Sequence, residues 1–334
     1  MSAATGTADA IRARRDAMVI SWARRNGWTL GLLAFFVLLV AFTKLIQSSY
    51  GVTGVQGLAI SVLPLALAAV AQAVVVISGG IDLSIGSMMA LTSVVAASQM
   101  KGQGEEFGVA VALGVLLLGL VLGAVNGGLV VVTRVPDIVV TLAMSFVWAG
   151  CALLVLQRPG GGSAKWLQDL VIGSLGNEWI PRAAIVLIFV VAIIWVPVRR
   201  SMLGLSIYAI GSNRLAAFRS GVSVGRTKFA AYVLTGLFSA LAGLSLTAST
   251  GIGIPVPGPY TLLSVAAVVL GGVSLAGGRG GIFGPVVAVV ILQLIRTDMT
   301  FLNINTNLAT VAQGIILIGV VMFGSLIQWR RSRG

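Results

Sequence analysis

The stretch VVVISGGIDLSIGS, from Val74 to Ser87, sets Gly79, Gly80, Asp82 and Ser84 between two apolar runs with no Lys or Arg nearby. Paired glycines end a helix, and Asp or Ser begins one by accepting hydrogen bonds from orphan backbone donors. The flanking runs are apolar enough to lie in a bilayer, so the break falls at membrane depth. Irregular backbone is tolerated there only where protein buries it or where it lines a water-filled route. Two compatible readings of Asp82 follow: it caps the third span, or it lies beside the path of a transported molecule with Gly79, Gly80 and Ser84.

The composition around this stretch supports the membrane reading. Of 334 residues, 57% are hydrophobic and 9% charged, against roughly 25% charged in globular chains. Ten candidate spans are read: Trp28 to Ile46, Leu58 to Ser78, Ile85 to Ser98, Phe107 to Val132, Ile138 to Leu156, Ala183 to Val198, Phe229 to Ala248, Tyr260 to Ala276, Ile282 to Arg296, and Leu308 to Gln328. The expected fold is therefore all-α, a polytopic membrane protein of about ten transmembrane helices. The third and ninth spans are short for a bilayer and each follows a glycine cluster, so both are expected to begin within the membrane as parts of broken helices.

Charge sets the orientation. With a cytoplasmic N-terminus, the inner segments hold 16 of the 22 Lys and Arg residues, and the outer ones hold Lys44, Lys101, Arg158, Lys165, Arg182 and Arg296. Both termini are then cytoplasmic by the positive-inside rule. The net charge of +13 reflects topology rather than nucleic acid, and anionic membrane lipid is the expected partner of the basic surface. Residues 1–27 read as an amphipathic segment on the cytoplasmic membrane surface, uncleaved because no small-x-small site follows the first run at Ser48, Ser49 and Tyr50. One transmembrane domain covers 28–329, and 330–334 form a basic tail.

Within that domain, residues 199–228 leave the apolar pattern and form the longest interior connection. Asn213 can cap a short helix there and Gly221 can end it; the plainer alternative is a basic loop held by anionic lipid. Gly119, Gly123 and Gly127 make two small-xxx-small steps that let another helix approach closely, while Asn126 either packs beside them or lines a polar route. A weak echo of the opening stretch occurs in VLGGVSLAGG, Val269 to Gly278, pairing Gly79 with Gly271, Gly80 with Gly272 and Asp82 with Ser274. Two such breaks point to a route between repeats. Pro255, Pro257 and Pro259 stiffen the connection between the seventh and eighth spans, a place to receive an external partner.

Chemistry is sparse. The sequence has no His and one Cys, Cys151, so His-based catalysis, His/Cys metal sites and an internal disulfide are excluded. No Lys is preceded by Gly, so no phosphate-loop motif is present; GGRGGIFG, Gly277 to Gly284, lacks Lys and reads as a helix break. The chain is not expected to be an enzyme.

Taken together, GGIDLSIGS at Gly79 to Ser87, GxxxGAVNG at Gly119 to Gly127, NxxAAxxSGV at Asn213 to Val222 and VVLGGVSLAGGRGGIFG at Val268 to Gly284 resemble the membrane permeases of bacterial ABC importers of the ribose, xylose and arabinose type. These lie within a wider group that includes branched-chain amino acid permeases. The resemblance implies a location in the bacterial inner membrane, a second permease copy, a cytoplasmic ABC ATPase that binds ATP and Mg, and a periplasmic or surface sugar-binding protein. No cofactor is implied in this chain. The resemblance also implies that Ala216, Ala217, Ser220 and Gly221, with Asn213, form the segment that couples to the ATPase. Leu215 stands where relatives often carry an acidic residue, which removes a conventional salt bridge. The expected function is import of a pentose or related monosaccharide by alternating access. The alternatives are an ion-coupled secondary transporter using Asp82, or an ABC permease for a nucleoside or sugar alcohol.

Overall fold

The computed structural model describes residues 27–256 and 258–304, together with Leu308, Val311, Gly314, Ile315, Gly319 and Met322. The amphipathic segment expected before Gly27, most of the tenth span and the basic tail at 330–334 lie outside the described residues. The order of elements is α1 Gly27–Ile46, α2 Val52–Ile77, α3 Ile85–Met100, α4 Glu105–Thr133, α5 Asp137–Val155, α6 Lys165–Val171, β1 Ser174–Leu175, β2 Asn177–Pro181, α7 Arg182–Arg200, α8 Met202–Ser212, α9 Arg214–Arg219, α10 Val224–Thr250, α11 Tyr260–Leu270 and α12 Phe283–Phe301. Among the described residues the fold is all-helical apart from the short antiparallel β1–β2 hairpin. Six of the described helices, α2, α4, α5, α7, α10 and α12, are long and apolar enough to cross a membrane, and shorter apolar helices accompany them.

The first nine expected spans each coincide with a helix, with two corrections. The eighth span is the short one. α11 stops at Leu270 after 11 residues, because Gly272 turns into the left-handed region at φ 79° and directs 273–276 away from the helix. The ninth is not truncated: α12 runs 19 residues through Arg296 to Phe301, since a single charge near a membrane boundary does not stop a helix. The third span is short as expected, with 16 residues in α3. In addition, 199–228 is not a plain loop but contains the apolar helix α8.

α2 is the axis of the molecule. Its 16 consecutive residues Val62–Ile77 are all buried, Pro64 among them, as befits a helix that is apolar all round. Lipid tails are as apolar as Leu, so helices here associate through close packing and internal hydrogen bonds rather than expulsion of water. Gly119, Gly123 and Gly127 of α4 meet α10 as the small-xxx-small pattern requires. A Cβ at Gly119 would lie 2.6 Å from the Gly236 carbonyl, and one at Gly123 3.0 Å from the Gly236 Cα. Ser93 and Thr247 share a 2.9 Å hydrogen bond between α3 and α10, and Thr235 donates to the Ala71 carbonyl of α2 at 3.2 Å.

The two ends of the bundle differ. Among the described residues outside the buried interior, one carries Arg134, Arg199, Arg200, Arg214, Arg219, Arg226, Lys228 and Arg279 against the single acid Asp137, and is called the basic end below. The hairpin end carries the six basic residues Lys44, Lys101, Arg158, Lys165, Arg182 and Arg296 against the five acids Glu105, Glu106, Asp169, Glu178 and Asp298.

Candidate functional site

Both glycine breaks lie toward the basic end and begin with the same turn. At the close of α2, Ser78 N–H donates to Val74 O, Gly79 N–H to Val76 O at 2.9 Å and Gly80 N–H to Val75 O at 3.0 Å. At the close of α11, Gly271 N–H donates to Ala267 O, Gly272 N–H to Val269 O at 3.0 Å and Val273 N–H to Val268 O at 3.1 Å. Gly79 and Gly272 both sit at φ 79°, where a Cβ would be strained. Ser78 therefore matches Gly271, Gly79 matches Gly272 and Gly80 matches Val273. The sequence pairing of Gly79 with Gly271, Gly80 with Gly272 and Asp82 with Ser274 is one residue out of register. The glycine pairs align by letter, but the left-handed position is the first glycine in one break and the second in the other. Past the turn the two diverge: Ser274 N–H donates to Arg279 O at 3.1 Å, closing a loop that has no counterpart near Asp82.

Asp82 is fully buried. Its Oδ1 accepts from the Ser84 backbone N–H at 2.8 Å and the Ser84 hydroxyl at 2.6 Å, an Asx turn at the entry to α3. The Ser84 hydroxyl accepts in turn from Asn126 Nδ2 at 2.7 Å, and Asn126 Oδ1 accepts from Trp148 Nε1 at 3.2 Å. Asp82, Ser84 and Asn126 are thus one network, joined by Trp148 of α5, with Asp82 Oδ2 left without a protein partner among the described residues. Two threonines complete the entry to α3. Thr141 accepts from Leu83 N–H at 3.0 Å and Thr261 from Gly86 N–H at 3.0 Å, so donors orphaned by the helix start are satisfied from α5 and α11.

The two breaks touch, and α8 is wedged against both. Gly278 N–H donates to the Ile77 carbonyl at 2.9 Å, joining the second break to the end of α2. Gly211 packs so closely that a Cβ would strike the Ile77 carbonyl and lie 2.6 Å from Gly278 N, and one at Gly277 would lie 2.9 Å from Gly79 Cα. Tyr208 donates to the Gly280 carbonyl at 2.9 Å, so α8 also grips the second break by a side chain. On the far side of that break, Trp28 Nε1 donates to the Leu270 carbonyl at 2.8 Å. Gly271 lies against Pro285 and Gly284, and Gly272 against Trp28.

α8 passes directly into α9 through Asn213. The Asn213 N–H donates to Ala209 O at 3.1 Å as the last bond of α8, and its Oδ1 accepts from Ala216 N–H at 2.9 Å as the N-cap of α9. α9 closes at Ser220, whose N–H donates to Ala216 O at 3.0 Å, and Gly221 follows at φ 85°. The helix read from Asn213 to Gly221 is present, with Ala217 buried and Leu215 and Phe218 exposed at 58% and 67%. A cavity of about 230 Å³ lies between Gly79, Gly211, Asn213, Arg214 and Lys228.

Lys228 of that lining belongs to an ion pair. Lys228 Nζ at the start of α10 lies 2.7 Å from Asp137 Oδ1 at the start of α5, with both side chains nearly buried, 12% and 13% exposed. Tyr232 donates to Asp137 Oδ2 at 3.0 Å. Gly80 is pressed against this triad, where a Cβ would meet the Asp137 carboxylate and lie 3.2 Å from the Tyr232 hydroxyl. Sequence reading assigns no role to Asp137, Tyr232, Gly211 or Tyr208. The signals were present: Pro136-Asp137 is a helix start, and MLGLSIYAI after Ser201 is an uncharged capped run.

Comparison with known proteins gives the family. Residues 54–321 match the family of branched-chain amino acid transport system / permease components. The ribose import permease protein RbsC of Bacillus subtilis (strain 168) is 34% identical over 292 residues, 87% of this chain and 90% of the relative. The D-allose transport system permease protein AlsC of Escherichia coli (strain K12) is 31% identical over 255 residues, 75% and 77% of the two chains. The autoinducer 2 import system permease protein LsrD of Escherichia coli O9:H4 (strain HS) is 29% identical over 307 residues, 89% and 92%. No solved structure gives a significant match. The chain belongs to this permease family and is a multi-pass protein of the bacterial inner membrane.

Proposed function

We propose that this chain is the membrane-spanning subunit of an ATP-driven importer of a monosaccharide, a pentose or a related sugar, in which two permease copies alternate access around a path between them. The observation that carries this reading is the wedge of α8 between the two glycine breaks, continuous through Asn213 with α9. A push on α9 is delivered at once to the ends of α2 and of α11. Broken helices at membrane depth are where alternating-access proteins place their sites and gates. The ATPase supplies the work by hydrolysing ATP with Mg, and a soluble sugar-binding protein delivers the sugar to the hairpin end. The exposed Leu215 and Phe218 give α9 an apolar grip on the ATPase groove, in place of the acidic contact that Leu215 removes. Gly79, Gly80, Asp82, Ser84, Asn126, Gly271, Gly272 and Ser274 act in this scheme as the breaks and their supports.

The test is reconstitution of the assembled transporter in liposomes. Uptake that requires ATP hydrolysis and is lost in Ala217→Trp or Gly221→Val, with expression intact, supports the assignment. Uptake that follows an ion gradient without any ATPase would establish the secondary transporter instead. The family relationship favours the importer. A ligand screen on the associated binding protein separates a pentose from a nucleoside or sugar alcohol.

A further inference from the structure

At the hairpin end, α6, β1 and the first turns of α7 enclose a half-open pocket of about 500 Å³, within the size range of small-molecule sites. Its lining is mostly apolar, with Trp166, Leu170, Leu175 and Ile185, and includes the two charged residues Arg182 and Asp169. The Arg182 guanidinium is fixed by two backbone carbonyls, Nε to Ser174 O at 2.9 Å and Nη1 to Asp169 O at 2.7 Å. It therefore binds the Asp169 backbone and not its carboxylate; among the described residues the ion pair found is Lys228 with Asp137. Arg182 Nη2 and the Asp169 carboxylate thus belong to two oppositely charged lining residues and have no protein partners among the described residues.

Beside the pocket runs the exposed apolar side of α7, a helix long and apolar enough to cross a membrane. Ile185 leads at helical spacing to Phe189 and Ile193 of α7, which are 63% and 55% exposed. Trp166 beside the pocket and the exposed Trp179 on β2 are the residues that settle at the headgroup level. A guest must satisfy both parts: a head with one anionic and one cationic group, and a long apolar tail. A sugar leaves the apolar wall unmatched, and an anionic headgroup without an amine leaves Asp169 facing a phosphate. The charge at this end, six basic residues against five acidic, gives a purely anionic guest no general attraction.

We propose that this pocket is a binding site for a zwitterionic, amine-bearing phospholipid of the outer leaflet. Its phosphate sits on Arg182, its ammonium on Asp169, and one acyl chain runs along Ile185, Phe189 and Ile193. Charge-assisted hydrogen bonds to the phosphate and from the ammonium supply selectivity, and the tail supplies contact area. The site is independent of which sugar crosses the membrane.

The test uses the full-length chain in nanodiscs holding equal amounts of phosphatidylethanolamine, phosphatidylcholine and phosphatidylglycerol with matched chains, with retained lipid read by native mass spectrometry. The wild type is expected to retain phosphatidylethanolamine about tenfold over phosphatidylcholine, whose trimethylated nitrogen cannot donate to Asp169. Asp169→Asn should erase the preference over phosphatidylglycerol, and Arg182→Ala should lower retention of all three. Because Arg182 also ties down the β1 loop, Leu170→Trp, which fills the pocket and keeps both charges, provides an independent arm and should abolish retention. Equal retention of the three lipids by the wild type overturns the proposal, as does unchanged retention in Asp169→Asn and Leu170→Trp. So does protection of Leu175→Cys from a thiol reagent only when the sugar-binding protein is added.

Discussion

Lys228 and Asp137 are worth more together than the loss of either one suggests. Both are nearly buried, and removing one partner of such a pair strands the other charge, at about 3–5 kcal/mol, whereas replacing both is far cheaper. Lys228→Met should therefore lower thermal stability in detergent sharply, and Asp137→Asn less so, because Asn still accepts from Tyr232. The double variant should recover most of the loss; stability no better than the worse single variant would show that the pair is not the link between α5 and α10. Asp82 offers a contrast. Its Oδ1 works as a backbone turn-former, a role the Asn side chain retains, so Asp82→Asn is expected to keep transport within about threefold of wild type if the residue is structural. Loss of uptake with normal expression would assign the charge itself a part in transport. The sequence makes the isolation of Asp82 legible, since no cation lies near it in the chain. It hides the partners Asn126 and Trp148, which arrive from helices four and five and leave no local trace.

Among elements, α8 is the one through which the proposed coupling would run. Gly211 sits where a Cβ would collide with the end of α2 and with Gly278 N, so even one methyl must separate the helix from a break, at about 1–3 kcal/mol of overpacking. Gly211→Ala is expected to leave the complex assembled and ATP hydrolysis running while sugar uptake falls at least about tenfold. Gly114→Ala is the matched control, since nothing lies within 4 Å of its added Cβ, and uptake there should be unchanged. Equal behaviour of the two variants would remove α8 from the coupling route. Most elements are legible because apolar runs of about 20 residues admit few alternatives in a bilayer. α8 escapes because six basic residues between Arg199 and Lys228 mark the whole stretch as a cytoplasmic loop, although Met202–Ile210 itself has no charge. The truncation of α11 escapes for a different reason. Two adjacent glycines do not say which one turns left-handed, and that choice sets where the helix stops.

For the whole molecule, the placement of charge and the position of α9 must agree. Among the described residues, eight basic residues and one acid outside the buried interior gather at the end that carries α9, and six basic with five acidic at the hairpin end. The positive-inside rule predicts that α9 faces the cytoplasm, the compartment from which an ATPase would reach it. The sequence contains a single cysteine, Cys151, so a Cys151→Ser background permits reporters at each end. Lys101→Cys, beside the exposed turn after α3, should react with a membrane-impermeant maleimide in intact cells. Arg219→Cys, at the end of α9, should react only in inverted vesicles, and lose that reactivity when the ATPase is bound. The opposite labelling pattern would place the α8 wedge on the side where no ATP is available. The two glycine breaks would then need a source of motion other than a cytoplasmic partner, and the ion-gradient reading of Asp82 would regain its force.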